Sequence, residues 1–280
     1  MVNNTKFMSN LRTTRTVILI PHYNNLIGLE KSIKSVYHSK GIDILIVDDG
    51  SSPSQVPDLL KLQKIAAKNT TIKIVFSKEN KGIATALNIG LDIILDLDQY
   101  EFIARLDCGD TCVANRFFLQ EKYLDQNSKT ALVGSWARWI DQESKNELFK
   151  FKPPIHHKKI KRMMSVRCNF IHPAVMYRTS VVKEIGKYPD NYEDAEDYAY
   201  FFNISKNYET ANIPKFLTNV DYNTKGISVE NRKSQNRSKL KIIRNFGKTD
   251  IFQIYGVFYN LALLIVPAKF VFSLKKKVFS

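Results

Sequence analysis

The sequence is poor in the residues that build a disulfide framework or a structural zinc site. Its 280 residues include three cysteines, Cys108, Cys112 and Cys168, and none of them stands in a CxxC pair. The odd number and the spacing argue against both kinds of site, and reduced thiols in a cytosol-facing protein are the simplest interpretation. Residues 1–15 contain no apolar core of the length found in signal peptides.

Two nucleotide-binding signatures are also missing. No GxGxxG follows the first predicted strand, and GxxxxGK[ST] occurs nowhere in the chain. These absences argue against a dinucleotide-dependent oxidoreductase and against a P-loop NTPase. No repeat of about 20–50 residues is visible, which argues against a solenoid.

Acidic residues are scarce relative to basic ones. The chain has 42 Lys or Arg against 27 Asp or Glu, a formal charge of +15, while 44% hydrophobic residues are enough to bury a core. Such a charge predicts an acidic partner, which is nucleic acid, anionic lipid or a phosphorylated substrate. Residues 150–167 contain seven Lys or Arg and no acidic residue. They either grip an anionic substrate or form a solvated loop, and nucleic acid is disfavoured because no aromatic-basic interleaving accompanies them.

The first half of the chain alternates strand and helix signals. We predict buried strands over 16–23, 42–49, 71–77 and 101–107, and helices over about 24–39, 55–68, 82–95 and 114–126. This order predicts an α/β fold with a mostly parallel sheet built from βαβ units. In the second half we predict strands over 131–140 and 173–178, a loop running into a helix over 150–167, and helices over 194–206 and 229–247.

Polar side chains follow each of the first four predicted strands. Because the carboxyl ends of parallel strands meet at one edge of a sheet, ligands bind there. Four aspartates should gather negative charge at this rim: Asp48, Asp49, Asp107 and Asp110. A divalent cation that bridges them to phosphate oxygens would relieve their mutual repulsion.

Six segments, in this order, resemble the inverting glycosyltransferases of family 2, which have the GT-A fold. They are PHYNN (21–25), IVDDGS (46–51), NKGIATALNIGL (80–91), ARLDCGDTCVANRFFLQEKYL (104–124), HPAVMYR (172–178) and AEDY (195–198). The resemblance covers roughly residues 15–225 and implies a Rossmann-like sheet flanked by helices. The second half is most similar to bacterial enzymes that build lipopolysaccharide, capsule or related surface glycans.

The resemblance implies a nucleotide-binding set spread over all four strand ends. Asp49, or its neighbour Asp48, matches the aspartate that reads the uracil edge, and Arg105 matches a basic residue near the diphosphate. The other implied nucleotide contacts are Pro21, Tyr23, Asn24, Asn80, Gly82 and Asp107.

The segment Asp107-Cys108-Gly109-Asp110 matches the family's metal and ribose motif, which usually reads Asp-x-Asp-Asp. The resemblance implies that Asp110 binds Mg²⁺ or Mn²⁺ and that Asp107 binds the ribose or the metal. Gly109 stands where the family usually has a carboxylate, so one contact with nucleotide or metal is missing. An Asp-Gly turn without a metal is the alternative interpretation.

Glu196 and Asp197 match the acidic pair that supplies the catalytic base. Direct inversion needs a carboxylate that takes the acceptor hydroxyl's proton as its oxygen attacks the anomeric carbon. We favour Asp197 as the base and Glu196 as the orienting group, with Asp194 as a rival; helix N-terminal charge is the alternative. His172 and Trp136 are predicted acceptor contacts, for which a structural role and core packing are the competing interpretations.

Residues 251–272 are nearly all apolar and would form a helix of ~33 Å, long enough to cross a bilayer. Their polar or small residues lie along one stripe, formed by Gln253, Gly256, Asn260 and Pro267. This pattern favours a helix that lies in the membrane interface with a broad apolar face. Residues 225–280 carry 12 Lys or Arg and 2 Asp or Glu, a net +10, which anionic lipid attracts. Packing onto the catalytic domain or dimer formation is the alternative.

We therefore predict a GT-A catalytic domain over 1–225, with a nucleotide-binding half (about 15–125) and an acceptor half (about 126–225). A basic and apolar helical tail over 226–280 would associate with membranes. The predicted reaction is metal-dependent, inverting transfer of a hexose or N-acetylhexosamine from a nucleotide sugar, UDP-linked, to a glycan or glycolipid acceptor. Lipooligosaccharide or capsule would grow in this way at the cytoplasmic face of the bacterial inner membrane.

Two rival functions belong to other classes. A non-catalytic nucleotide-sugar- or lipid-binding protein with the same fold is the main alternative, because Gly109 removes a carboxylate from the family motif. A nucleotidylyltransferase would need a Gly-rich loop with Arg or Lys after the first strand, and PHYNN does not supply one.

Overall fold

The computed structural model describes residues 14–113, 115–222, 231–267, 270–271, 273 and 277. In this part of the chain a sheet of nine strands is flanked by helices. The strands are β1 (Thr16–His22), β2 (Ile42–Asp48), β3 (Thr70–Phe76), β4 (Phe102–Arg105), β5 (Thr111–Cys112), β6 (Thr130–Asp141), β7 (Glu147–Phe151), β8 (Met176–Arg178) and β9 (Glu209–Tyr222). The α-helices are α1 (Leu26–Lys34), α2 (Leu59–Ile65), α3 (Ile83–Leu97), α4 (Arg116–Gln126), α5 (His157–Met163), α6 (Thr179–Ile185), α7 (Glu196–Asn207), α8 (Arg232–Phe246) and α9 (Ile251–Ile265).

The sheet has the strand order β3-β2-β1-β4-β8-β6-β9-β5, and β7 pairs with β6 at its side. Strands β3, β2, β1 and β4 are parallel to one another, whereas β8 runs antiparallel to both β4 and β6. Strand β9 is parallel to β6, and the short β5 is antiparallel to β9. These pairings confirm the predicted mostly parallel α/β sheet.

The first strands are buried on both faces because alternate side chains enter two different cores. Leu19 and Val47 pack into one core with α3, α6, α7 and α8. Ile18 and Ile46 pack into the other core with α1, α2 and α4. The carboxyl ends of β1 to β4 therefore remain as a rim between two helical layers.

Two of the predicted helices are shorter in the structure than the sequence suggested. The side chain of Asn25 accepts the N–H of Gly28 and starts α1, which ends at Lys34. The predicted helix over 55–68 begins at Leu59, because a 3₁₀ turn precedes it and Asp58 caps it by accepting the N–H of Lys61. N-capping of this kind fixes where a helix begins.

Strand β9 was missed by the sequence prediction, although at 14 residues it is the longest strand described. Its sequence contains Pro214 and lacks a clean apolar alternation, and its pairing with β6 shifts register near Trp136. Helix α6 was also missed. The predicted loop running into a helix over 150–167 contains the expected helix, α5, but its first residues belong to β7.

The C-terminal helices pack against the body of the protein. Phe246 of α8 lies against Phe202 of α7, with ring centroids 5.8 Å apart. Helix α9 ends at Ile265, two residues before Pro267, which shortens the predicted helix over 251–272. Among the described residues, no helix has both the length and the apolar character needed to cross a membrane. Residues 268, 269 and 272 of that prediction lie outside the described part of the chain.

Candidate active site

The ends of β2 and β3 are joined through Asp49. Its carboxylate accepts the backbone N–H groups of Lys81 and Gly82, at 3.0 and 2.8 Å. Gly82 has φ +88, a conformation that suits glycine, and an added Cβ there would meet no atom within 4 Å. The loop after β3 thus lies beside Asp49, with open space over its glycine. This is the arrangement expected of a surface that a ligand approaches.

Asp48 is as buried as Asp49 but has different partners. Its carboxylate accepts a hydrogen bond from His22 Nδ1 at 2.7 Å and from the N–H of Ser51 at 3.2 Å. Both Asp48 and His22 are buried. Asp48 therefore stabilises the turn after β2, whereas Asp49 bonds to the loop that follows β3.

The predicted contacts that follow β1 line the same edge. Tyr23 leaves 49% of its side chain exposed. Asn24 accepts hydrogen bonds from the N–H and hydroxyl of Ser52 at 2.9 and 3.1 Å, which ties the ends of β1 and β2 together. The carbonyl of Pro21 accepts the thiol of Cys108 at 3.3 Å. Asn80, after β3, accepts the N–H of Gly82 at 3.1 Å.

The 107–110 turn is clamped by helix α1. Ser32 Oγ lies 3.1 and 2.8 Å from the carbonyl oxygens of Asp107 and Asp110, and it accepts the N–H of Gly109 at 3.0 Å. Gly109 has φ +101, in the left-handed region that favours glycine. The glycine that interrupts the family pattern is thus required by the shape of this turn.

A carboxylate from β9 lies beside Gly109. A Cβ added at Gly109 would stand 3.3 Å from Asp221 Oδ2. The N–H of Asp221 donates to Asp110 Oδ1 at 2.7 Å, and Lys31 Nζ lies 3.0 Å from Asp221 Oδ1. Burial, with the charges of Asp107 and Asp221, raises the pKa of the Asp110 carboxyl well above its usual range. Sequence reasoning missed Asp221, and no motif marks it.

Asp107 and Asp110 suit a hard cation by their chemistry, because Mg²⁺ and Mn²⁺ prefer carboxylate oxygens. Within the described ranges, no group of three His, Cys, Asp or Glu side chains converges on a point that would hold a metal ion. Magnesium in nucleotide enzymes is commonly bound by one or two carboxylates, with phosphate and water oxygens completing its shell. The residues present therefore fit a metal that arrives with a diphosphate.

Arg105 lies beneath the turn, with none of its side chain exposed. Its guanidinium pairs with Asp107 Oδ1 at 2.5 Å, donates to His172 Nε2 at 3.2 Å and also contacts the carbonyl of Leu19. A guanidinium buried in this way positions Asp107. The expectation that Arg105 lies near the diphosphate stays a prediction.

His172 joins the turn to the acceptor half. Its Nε2 accepts from Arg105 and lies 3.1 Å from the Tyr188 hydroxyl, while Nδ1 is 4.0 Å from Asp107 Oδ2. Burial and the charge of Arg105 lower the pKa of His172, so the neutral imidazole is favoured. Tyr188 was not predicted as a site residue. The amide of Asn88 holds its backbone at both N–H and carbonyl, each at 2.9 Å.

The acidic pair begins helix α7 at the same site. Burial, then the charges of Asp197, Asp194 and Asp107, raise the pKa of Glu196 to about 7. Asp197 Oδ1 accepts the N–H of Tyr198 at 2.7 Å. Because Asp107 acts on Glu196, and Asp197 acts on His172, the structure brings the acidic pair and the 107–110 turn into one electrostatic environment.

Trp136 makes its contacts elsewhere. Its indole N–H donates to the carbonyl of Pro153 at 3.2 Å, and its ring lies 5.4 Å from that of Phe216. Lys152 Nζ stands 5.7 Å from the indole centroid. Through these contacts the half-buried Trp136 of β6 packs against Phe216 of β9.

Comparison with known proteins agrees with this arrangement. Residues 17–186 match the family described as "Glycosyl transferase family 2". The chain belongs to this family. The matched range contains all the strand-end residues named above as well as His172, and it stops ten residues short of Glu196.

Three relatives are glycosyltransferases. An uncharacterized glycosyltransferase of Rickettsia bellii is 27% identical over 75% of this chain and 29% of its own length. The amylovoran biosynthesis glycosyltransferase AmsE of Erwinia amylovora is 27% identical over 69% of this chain and 70% of its own. The UDP-Gal:alpha-D-GlcNAc-diphosphoundecaprenol beta-1,3-galactosyltransferase of Escherichia coli is 24% identical over 61% and 60%. The first four curated relatives are matched over 29 to 64% of their length.

Two solved structures share the fold. Residues 1–349 of S. aureus TarS in complex with UDP align with a TM-score of 0.59 and 14% identity, over 92% of this chain and 71% of that one. The mannosyltransferase PcManGT from Pyrobaculum calidifontis, in complex with GDP-Man and Mn²⁺, aligns with a TM-score of 0.62 and 14% identity, over 94% and 73%. The predicted GT-A fold is confirmed.

Proposed function

We propose that this chain transfers a hexose or N-acetylhexosamine from a nucleotide sugar, UDP-linked, to a bacterial surface glycan, with inversion at the anomeric carbon. The observation that carries the proposal is the placement of the acidic pair in the first turn of α7, where the charge of Asp107 contributes to the raised pKa of Glu196. A carboxyl group whose pKa is raised by burial therefore lies within electrostatic reach of the predicted diphosphate motif. Such a group, next to a second carboxylate, suits proton transfer from an acceptor hydroxyl.

Both carboxylates of the acidic pair would act on the acceptor hydroxyl. Asp197 remains the proposed base, and Glu196 would orient the hydroxyl or accept the proton in its place. His172, neutral and bonded to Arg105, would offer its ring to the acceptor side. On the donor side Arg105 holds Asp107 in place, and Asp49 with Gly82 would line the nucleotide. When bound, Mg²⁺ or Mn²⁺ would stabilise the charge of the departing diphosphate.

The choice of substrates is supported by relatives and neighbours. The E. coli relative is named for a UDP-Gal donor and a diphosphoundecaprenol-linked acceptor. TarS has been solved with UDP-GlcNAc, and PcManGT with GDP-Man and Mn²⁺. We propose a UDP-sugar donor and a lipid-linked or lipooligosaccharide acceptor at the cytoplasmic face of the inner membrane, where the chain would be peripheral or monotopic.

A donor screen tests the proposal. Purified protein with Mn²⁺ or Mg²⁺ is incubated with UDP-Gal, UDP-Glc, UDP-GlcNAc and GDP-Man, and release of the nucleoside diphosphate is measured with and without a lipid-diphosphate acceptor. We expect release with at least one UDP-sugar, increased by acceptor. Asp197→Asn should bind donor normally and lose transfer, whereas full activity in that variant would remove the base assignment.

The same assay separates the rival function. Metal-dependent UDP binding without turnover of any donor would favour a non-catalytic nucleotide-sugar-binding protein. Asp107→Asn should then weaken binding, while Asp197→Asn should leave every measured property unchanged.

A further inference from the structure

Helix α9 presents its apolar side chains to solvent. Ile254, Tyr255 and Phe258 are 55%, 58% and 66% exposed. Spacings of three and four residues place exposed side chains on one side of a helix. We call these six residues the apolar stripe: Ile251, Ile254, Tyr255, Phe258, Leu261 and Ile265.

The small and polar residues of α9 face the protein instead. Gly256 is buried so closely that an added Cβ would lie 1.9 Å from the carbonyl oxygen of Ser165. The amide of Asn260 donates to the carbonyl of Val166 at 3.0 Å, and that of Gln253 donates to the carbonyl of Ile243 at 2.9 Å. These three contacts fix the rotation of the helix, so the outward direction of the apolar stripe is built into the fold.

Basic residues flank the stripe on both sides. On one side, a cleft of about 330 Å³ lies between α5 and Phe252, and Lys158, Lys159 and Arg162 line it. On the other side, a cleft of about 250 Å³ is lined by Arg244 together with Ile254 and Phe258 of the stripe. Each cleft therefore combines an apolar wall with a cation.

These features favour an anionic lipid bilayer as the partner that contacts the apolar stripe. A second copy docked stripe to stripe would bring the flanking cations of both copies together, which like-charge repulsion disfavours. A bilayer with anionic headgroups receives apolar side chains and cations at once. Tyr255 and Tyr259, whose rings stack at 6.2 Å, are of the residue type that gathers at membrane interfaces.

We propose that the apolar stripe and its two basic clefts dock this protein on an anionic membrane surface, with the stripe among the acyl chains and the cations at the lipid phosphates. This deepens, and rests on, the proposed transfer to a membrane-linked acceptor.

Helix α8, which packs beside α9, also bonds to the turn before α7. Asn231 donates to Asp194 Oδ1 at 2.8 Å, and Asn245 donates to the Tyr192 hydroxyl at 3.0 Å. The docked surface is thus joined, through α8, to the segment that precedes the acidic pair.

Vesicle flotation tests the docking surface without any turnover. The full chain is mixed with vesicles of phosphatidylglycerol and phosphatidylethanolamine, or of phosphatidylcholine alone, at about 0.1 M salt. We expect strong flotation with the anionic vesicles and weak flotation with phosphatidylcholine. The double variant Ile254→Asp with Phe258→Asp should lower the vesicle affinity at least about tenfold, since two exposed apolar anchors are lost.

Matched controls come from helix α2. Leu60→Asp changes a 74% exposed apolar residue in another part of the surface and should float like the unaltered chain. Lys158→Glu with Lys159→Glu should weaken flotation on anionic vesicles, while Lys61→Glu with Lys64→Glu, also exposed, makes the same charge change in α2. That control pair should have a smaller effect.

Three results would overturn the proposal. They are absence of flotation, equal flotation on both vesicle types, and sedimentation as a dimer that Phe258→Asp dissociates without any vesicle binding. The last result would make the stripe a self-interface. Donor hydrolysis in vesicle-free solution is followed in parallel, so that a failed docking surface is distinguished from a failed transferase.

Discussion

Arg105 and Asp107 form an ion pair, 2.5 Å from Nη2 to Oδ1, in which the arginine is fully buried and the aspartate is 29% exposed. Arg105 thereby holds the carboxylate of Asp107, which belongs to the predicted diphosphate motif, in position. Burial of a charge is tolerated when it is paired and hydrogen-bonded, and Arg105 also contacts His172 and Leu19.

Arg105→Lys should therefore weaken donor binding as well as stability. An ammonium cannot contact Asp107, His172 and the Leu19 carbonyl together in the way a guanidinium does. We expect the KM for donor to rise at least tenfold and the free energy of unfolding to fall by ~2–4 kcal/mol. Arg178→Lys is the matched control, because Arg178 bonds to the carbonyls of Thr130 and Leu124. Arg178→Lys should lower stability and leave the KM for donor unchanged. Equal KM values in the two variants would contradict the role of Arg105 in positioning Asp107.

Glu196 should make stability depend on pH between its unfolded and folded pKa. Its carboxyl binds a proton more tightly in the folded chain, where the pKa is about 7, than at its usual value of 4.5. The contribution of Glu196 to stability is therefore fully present below about pH 4.5 and is lost as the pH rises through 7. Glu196→Gln removes this loss, so it should stabilise the protein by ~1–3 kcal/mol at pH 8 and by little at pH 4.5. Thermal unfolding at both pH values measures the difference.

Restoring the family's carboxylate with Gly109→Asp should harm the protein. The backbone at φ +101 disfavours a side chain, and the new Cβ would face Asp221. We expect a loss of ~2–4 kcal/mol in stability, of which one part is backbone strain and the other is charge repulsion.

Two further variants separate these parts. Asp221→Asn in the same chain should recover the electrostatic part. Gly186→Asp, at φ +85 with no neighbouring atom within 4 Å of the added Cβ, reports strain alone. If Gly109→Asp lowers stability no more than Gly186→Asp does, repulsion between the new side chain and Asp221 is ruled out.

Asn88→Ala should loosen Tyr188 and, through it, His172. The amide of Asn88 makes two hydrogen bonds to the backbone of Tyr188, whose hydroxyl lies 3.1 Å from His172 Nε2. We expect a stability loss of ~1–3 kcal/mol and a lower kcat with an unchanged KM for donor. Asn127→Ala, which removes an exposed amide bonded to the Tyr123 carbonyl, is the comparison variant. A rise in donor KM would place Asn88 on the nucleotide side instead.

The positions at the rim that the sequence predicted are those that follow from local rules. Asp49 and Asp107 come directly after buried strands, and parallel strands bring such residues to one edge. Glu196 lies in the first turn of a helix, where acidic residues are favoured. Each could be placed in the structure without knowledge of distant contacts.

The parts that were missed depend on pairing across the chain. Asp221 reaches the 107–110 turn because β9 pairs with β5, and nothing in its own segment indicates that neighbour. The burial of Arg105 follows from its contacts with Leu19 and His172, which lie 86 and 67 residues away. The outward stripe of α9 follows from the close approach of Gly256 to Ser165, whereas the sequence pattern favoured membrane contact and left packing or dimer formation as the alternative.

The pairing of β5 with β9 also sets an order of events during synthesis. Asp110 and the Asp221 N–H that it accepts are 111 residues apart. Since the ribosome delivers the chain from its N-terminus, β1 to β4 are complete long before β9 emerges. The clamp of Ser32 on the aspartate turn can form by then, whereas the contact of Asp110 with β9 is among the last that the nascent chain can make. Asp110 should thus lack its β9 partner until nearly the whole catalytic fold has been made.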